Sequence, residues 1–259
     1  MYKHVIFFDL DGTLFTDNAL TVTPDIKHMM SDIVEMGGLP VIATGRNYYE
    51  VKHLLDDLSI TSYILSNGCY VVHQEQIIQD LHFEHKEVVA FLDLAEQQQH
   101  SIGFFNQEGY AISKMTHTVK EHVAHMKMDI REVPVDPDFH NRQTVTFLNL
   151  YASKEEETVY QEALSSNYDW VRFTPLGVNV LPKHVSKALG MATLCDYLGL
   201  AHLPTYAFGN ANNDIELFQS VHCSVAMANS PRELQEVASY VATSCNGVRE
   251  GLHHFGLLS

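Results

Sequence analysis

A rhythm that occurs twice constrains this chain more than any other feature. Near its start, apolar runs of strand length (VIFF at 5–8, LPVIATG at 39–45, SYILSNG at 62–68) alternate with segments of helical periodicity. The first helical segment opens on Thr23-Pro24, an N-cap followed by a first-turn proline. It then carries Ile26, Met29, Met30, Ile33 and Val34 at helical spacing until Gly37-Gly38 ends it. A second helix is expected over 48–58. The rhythm returns late, as a helix over 187–200, the run TYAFGN (205–210), a helix after Asp214, the run CSVAMAN (223–229), a helix near 232–237 and the run YVATSC (240–245). Strands separated by helical crossovers pair in parallel. Residues 1–80 and 183–259 are therefore expected to form one α/β domain, a doubly wound, mostly parallel, Rossmann-like sheet.

Between these legs the texture changes. Residues 81–182 mix strand-like stretches (SIGFFNQEGYAIS, QTVTFLNLYA, DWVRFTPLGVNVL) with polar helical ones, the pattern of an α+β module on an antiparallel sheet. This segment is expected to be an inserted domain. Its Trp170, Phe104, Phe105 and Tyr110 are assigned to its core, and the histidine pairs His82/His85 and His122/His125 to solvated helix faces.

With 32 acidic against 16 basic residues, the formal net charge of −16 repels phosphate backbones and gives no footprint for nucleic acid or an anionic membrane. The four cysteines, Cys69, Cys195, Cys223 and Cys245, form no close pair and are expected to be small buried hydrophobes. No signal-peptide pattern or apolar run of transmembrane length is present. A reducing cytoplasm is the expected compartment. Nothing in the sequence sets an oligomeric state, and a monomer is compatible with everything read from it.

In open α/β sheets, ligands bind beyond the carboxyl ends of the strands. Four polar clusters fall there: Asp9 and Asp11, Thr44-Gly45-Arg46, Ser66-Asn67-Gly68, and the stretch from Gly209 to Asp214. Residues i and i+2 of a strand share a face, so Asp9 and Asp11 can address one ligand. Two close carboxylates repel and require a cation or a shared proton, and Mg2+ with substrate phosphate meets that need. Backbone amides around Asp11-Gly12 and Thr44-Gly45, the Thr44 hydroxyl and Lys187 then supply an anion cradle. Singly, each cluster has a plainer reading: a chance D-x-D or one from a metal-dependent glycosyltransferase, a threonine helix cap, a solvated lysine, an asparagine-rich turn. Arg46 is open between a phosphate contact and an ion pair.

In combination and order, DLDGTL (9–14), ATGR (43–46), VSKAL (185–189) and GNANNDIELF (209–218) resemble the haloacid dehalogenase superfamily, and within it the Cof-type phosphatases with a large inserted cap (type IIB). SNG (66–68) and the stretch 225–241 fit the same pattern. The resemblance implies a Mg2+-dependent phosphatase of small phosphorylated metabolites, such as sugar phosphates. Asp9 would be the nucleophile that becomes an aspartyl-phosphate, and Asp11 the acid and base. Leu10, Thr44, Gly45, Lys187 and Asn213 would hold the phosphate, and Asp9, Asp11, Asn210 and Asp214 the metal. The chain departs from the family at Asn210, where an aspartate is usual, and at His184 and Ala188, where glycines flank the lysine motif. Two alternatives stand beside this reading: a phosphotransferase or phosphomutase on the same site, and a phosphate-binding regulatory module weakened by Asn210.

Overall fold

A computed structural model describes residues 2–16, 20–164 and 167–258. The chain divides into two compact units, Met1–Asp80 with Ser186–Ser259, and Leu81–Val185.

The first unit begins with β1 (His4–Phe8), four of whose five residues are buried, and α1 (Pro24–Glu35), capped by Thr23 with proline at its start. Met29, Met30 and Ile33 of α1 face the core, whereas Val34 is exposed and lies outside the expected apolar stripe. β2 (Gly38–Ala43), α2 (Tyr48–Asp57) and β3 (Ser62–Leu65) follow the expected rhythm. A hairpin, β4 (Tyr70–His73) and β5 (Gln76–Asp80), then adds two antiparallel strands at one end of the sheet, with β5 on the edge, that periodicity did not single out.

The second unit contains α3 (His85–Gln97), β6 (Ser101–Phe105), β7 (Tyr110–Ile112), α4 (His117–His125), the short α5 (Phe139–Arg142), β8 (Phe147–Tyr151), α6 (Lys154–Leu164), β9 (Tyr168–Thr174) and β10 (Gly177–Pro182). Its five strands form an antiparallel sheet in the order β7-β6-β8-β10-β9. One face, with Phe104, Leu148, Leu150, Val178 and Val180, packs with Val88, Phe91 and Ala95 of α3 and Tyr160 of α6. Phe104 belongs to this core and Trp170 packs against it, but Phe105 and Tyr110 are only partly buried and stack on each other at 5.2 Å. His82, His85 and His125 are exposed, as expected. His122 is not: it is 5% exposed, and its Nδ1 lies 3.1 Å from Thr174 Oγ1. It shares the inner stripe of α4 with Val119 and Val123, and His125 lies beyond that stripe's rim.

The chain re-enters the first unit with α7 (Lys187–Leu198), β11 (Thr205–Gly209), α8 (Ile215–Ser220), β12 (Cys223–Ala226), α9 (Arg232–Val237), β13 (Tyr240–Val241) and α10 (Gly247–His254). The run 240–245 is strand over only two residues, and α10 is an element the sequence reading did not include. The cysteines divide: Cys69 and Cys195 are buried, Cys223 is half-buried and Cys245 exposed, so the expectation of buried hydrophobes holds for two of the four.

The eight strands of this unit lie in the order β13-β12-β11-β1-β2-β3-β4-β5, parallel from β13 through β3. From central β1 the chain winds outward through β2 and β3, and later in the opposite direction through β11, β12 and β13. This reversal is a topological switch point, where open α/β sheets place their ligands. Apolar layers cover both faces, one around Ile6, Phe8, Ile42 and Phe208, the other around Val5, Phe7, Val41 and Ala207. Among the described residues no helix is long and apolar enough to cross a membrane.

Candidate active site

Strand register brings the polar clusters together. Phe8 pairs with Ile42 on one side and Phe208 on the other, so two residues further on Leu10, Thr44 and Asn210 leave three adjacent strand ends. Ala43 pairs with Ile64 of β3, which adds Ser66-Asn67-Gly68.

Lys187 occupies the middle of this crevice, in the first turn of α7 behind the capping hydroxyl of Ser186. A cation at a helix N-terminus works against the helix dipole, so this position needs anions nearby. Two are present. The ammonium donates to Asp9 Oδ1 at 2.7 Å and Asp214 Oδ1 at 2.6 Å, and Lys187 and Asp214 are wholly buried. Burial disfavours the ammonium, but Asp214 and Asp9 outweigh it and hold the lysine above its ordinary range. Burial pushes the Asp9 carboxyl up to about 6; Lys187 opposes that rise and Asp214 adds to it. One cation shared between two carboxylates leaves the cluster short of positive charge.

The second oxygen of Asp214 accepts the backbone N–H groups of Asn210 and Ala211, both at 3.0 Å. Asp214 therefore holds the lysine and shapes the loop after β11 with the same carboxylate. Asn210 lies against Gly12, where φ is +76° and an added Cβ would come within 2.1 Å of Asn210 Nδ2; only glycine fits. Thr13 Oγ1 lies 3.1 Å from Asp9 Oδ2 and 3.3 Å from Asn210 Oδ1. A single hydroxyl proton cannot satisfy two acceptors, so a carboxylate oxygen and an amide oxygen converge with a lone pair to spare. Hard oxygen donors in that arrangement fit Mg2+, which takes few protein ligands and keeps several waters. Sequence reading passed over Thr13.

The expected anion cradle contains unpaired donors. None of the described residues accepts a hydrogen bond from the backbone N–H of Leu10, Asp11 or Gly45. The Leu10 side chain itself is core, so only its backbone can meet a ligand. The Thr44 hydroxyl is buried and accepts from Arg46 N at 3.3 Å, with no acceptor for its own proton among the described residues. Helix α2 is capped by Asn47 instead, which disposes of the plain capping reading of Thr44. Asn213 Nδ2 donates to Asn67 Oδ1 at 2.9 Å.

Asp11 is the exposed member of the acidic pair. Arg46 grips it with two parallel bonds, Nε to Oδ2 at 2.8 Å and Nη2 to Oδ1 at 2.7 Å, and this pairing raises the guanidinium pKa further. The open question over Arg46 is thus resolved toward an ion pair, with a residue of the site as its partner.

Sheet order, the switch-point crevice and the buried lysine between two acids agree with the sequence comparison: the chain belongs to the haloacid dehalogenase-like hydrolase family, whose model matches residues 6–255. A Bacillus subtilis protein named "Putative phosphatase YkrA" is 30% identical over 261 residues, covering all of both chains. The B. subtilis 5-amino-6-(5-phospho-D-ribitylamino)uracil phosphatase YitU is 25% identical over 97% of this chain and 96% of its own. A solved structure of a hypothetical protein from Geobacillus kaustophilus HTA426 superposes with a TM-score of 0.88 at 28% identity, covering all of both chains.

Proposed function

We propose that this chain is a Mg2+-dependent phosphatase of small phosphorylated metabolites that works through an aspartyl-phosphate. The observation that carries the proposal is the set of unpaired donors at Leu10, Asp11, Gly45 and Thr44 beside the buried Asp9–Lys187–Asp214 cluster. Leu10 and Thr44 are buried, Gly45 is partly buried and Asp11 exposed. A buried donor without an acceptor is costly, and a tetrahedral dianion supplies acceptors to all four at once. The names of the relatives, both phosphatases, agree.

In this reading the phosphoryl oxygens bind to the amides of Leu10, Asp11 and Gly45, the Thr44 hydroxyl, Lys187 and Asn213. A carboxylate oxygen of Asp9 attacks phosphorus in line with the leaving alkoxide. The P–O bond to that alkoxide breaks as Asp11 gives it a proton. Asp11 then takes a proton from water, whose oxygen attacks phosphorus, breaks the Asp9–phosphorus bond and releases orthophosphate. Both Asp11 oxygens are held by Arg46 in the structure, so donation requires Asp11 to leave that pair. Asp9, the backbone carbonyl of Asp11 and Asn210 would hold Mg2+, with Asp214 shaping the loop behind them. When bound, the ion neutralises charge on the transferred group. The inserted unit is assigned the choice of substrate.

Screening the purified protein against a panel of phosphorylated metabolites, with Mg2+ and with chelator, tests the proposal. Mg2+-dependent release of orthophosphate from some members is expected. No turnover anywhere refutes it, and turnover only with a phosphorylated acceptor present favours a transferase.

A further inference from the structure

Asn67 has a role that the reading of the sequence did not give it. It lies just past β3, in three consecutive residues of positive φ: Ser66 at 51°, Asn67 at 54° and Gly68 at 107°. Asparagine tolerates this left-handed region better than most residues, and such strain persists where the surroundings enforce it. Here Ser66 N–H donates to the Arg46 carbonyl at 2.9 Å and Asn67 N–H to the Thr44 carbonyl at 3.0 Å, which fastens the loop to the segment carrying Thr44 and Gly45.

The Asn67 side chain is 4% exposed. Its Oδ1 accepts from Asn213 Nδ2, and a Cβ added at Gly45 would stand 3.2 Å from both Oδ1 and Nδ2 of Asn67. The amide is therefore wedged between two residues of the proposed phosphate cradle. Its own Nδ2 finds no acceptor among the described residues. A largely buried side chain with its acceptor used and its Nδ2 unpaired but still open to solvent, next to the unpaired Gly45 N–H, is arranged for an anion.

We infer that Asn67 is itself a phosphate-binding residue: Nδ2 donates to a phosphoryl oxygen, while Oδ1 turns Asn213 toward another. The assignment rests on the phosphate reading of this crevice. It differs from a purely conformational role, in which asparagine would serve only to tolerate the left-handed backbone.

Two substitutions separate these roles. Asn67→Gly keeps the backbone conformation at ease and removes the amide. Asn67→Asp keeps the shape and the acceptor for Asn213 but replaces the donor by an anionic oxygen. Titration calorimetry of the full-length chain with inorganic phosphate and Mg2+ should show binding weakened about tenfold in Asn67→Gly and further still in Asn67→Asp, with thermal unfolding of both close to wild type. An Asp variant that binds phosphate as well as the Gly variant, or a Gly variant within threefold of wild type, overturns the assignment. If the wild type binds phosphate but hydrolyses no member of the metabolite panel, the phosphatase reading falls while the binding series still decides Asn67. If it binds no phosphate at all, both fall.

Discussion

Replacing Lys187 by methionine keeps the length of the side chain and removes the one cation between Asp9 and Asp214. The bonds lost are 2.7 and 2.6 Å long, and at an effective dielectric of about 20 each contact pair attracts by roughly 4 kcal/mol. Much of that attraction is offset by the desolvation already incurred, and breaking a buried pair from one side costs about 3–5 kcal/mol in practice. The cost has a ceiling, because a stranded carboxylate can take up a proton. Holding a carboxyl of ordinary pKa near 4 protonated at pH 7 costs about 4 kcal/mol, and at pH 5 only about 1.5. The sign follows. Carboxyls whose folded pKa is raised give the folded state its full stability below about pH 4 and lose it as pH rises through the folded value. Lys187→Met should therefore destabilise the first unit by about 4 kcal/mol at pH 7, and the deficit should shrink at pH 5 by up to about 1.4 kcal/mol per pH unit for each proton taken up. Hydrogen exchange of peptides from residues 1–80 and 186–259 in graded urea, with chelator present, measures this. Fluorescence of Trp170, the single tryptophan, reports the second unit and should not change. A deficit under about 1 kcal/mol at pH 7, or one that grows on acidification, would refute the reasoning.

Asp9→Asn should abolish turnover with the fold retained, since an amide does not form the acyl-phosphate while Lys187 keeps Asp214; residual activity in a sample free of deamidation, checked by mass spectrometry, counts against Asp9 as nucleophile. Asn210→Asp adds a charge where Asp9 and Asn210 oxygens converge, and the Mg2+ concentration for half-maximal activity should fall about tenfold, equivalent to about 1.4 kcal/mol; a titration showing equal or weaker dependence means that repulsion wins or that residue 210 does not face the ion. Burial, aided by His125, lowers His122 to about 4, so its contribution is complete above pH 6.5 and is lost as pH falls toward 4. In His122→Asn the acid loss of stability between pH 7 and 4.5, followed by Trp170 fluorescence in urea, should be smaller by roughly 2 kcal/mol; equal losses would show that His122 does not stay neutral in the fold.

The core strands of the first unit were legible because each is a continuous apolar run buried on both faces, and α1 because its cap and proline mark the start. Strands β4 and β5 carry polar residues and pair antiparallel, so they break the rhythm that identified the others. Helix α10 does bury one face, Gly247, Val248, Gly251 and Leu252, but two of those four residues are glycines, so only Val248 and Leu252 mark the stripe in the sequence. In the site, residue types were readable but their partners were not. Periodicity cannot show that Arg46 grips Asp11, that Thr13 bridges Asp9 and Asn210, or that Asn67 lies against Gly45, because these contacts join strand ends far apart in sequence. His122 was misread for a related reason: the threonine that meets it is 52 residues away.

The order of synthesis meets an awkward geometry in β1. Its neighbour β2 follows within 30 residues of its end, but its other neighbour, β11, begins only at residue 205. While the chain emerges from the ribosome, the flank of β1 that awaits β11 stays bare through more than a hundred residues of intervening sequence, and Asp9 waits equally long for Lys187. Contacts so distant form slowly, and a bare strand edge invites pairing with other chains. The second unit, continuous in sequence, can complete its own sheet first. Nascent chains stalled before residue 187 should thus expose a sticky half-sheet and depend on chaperones, whereas those released beyond residue 226 should not.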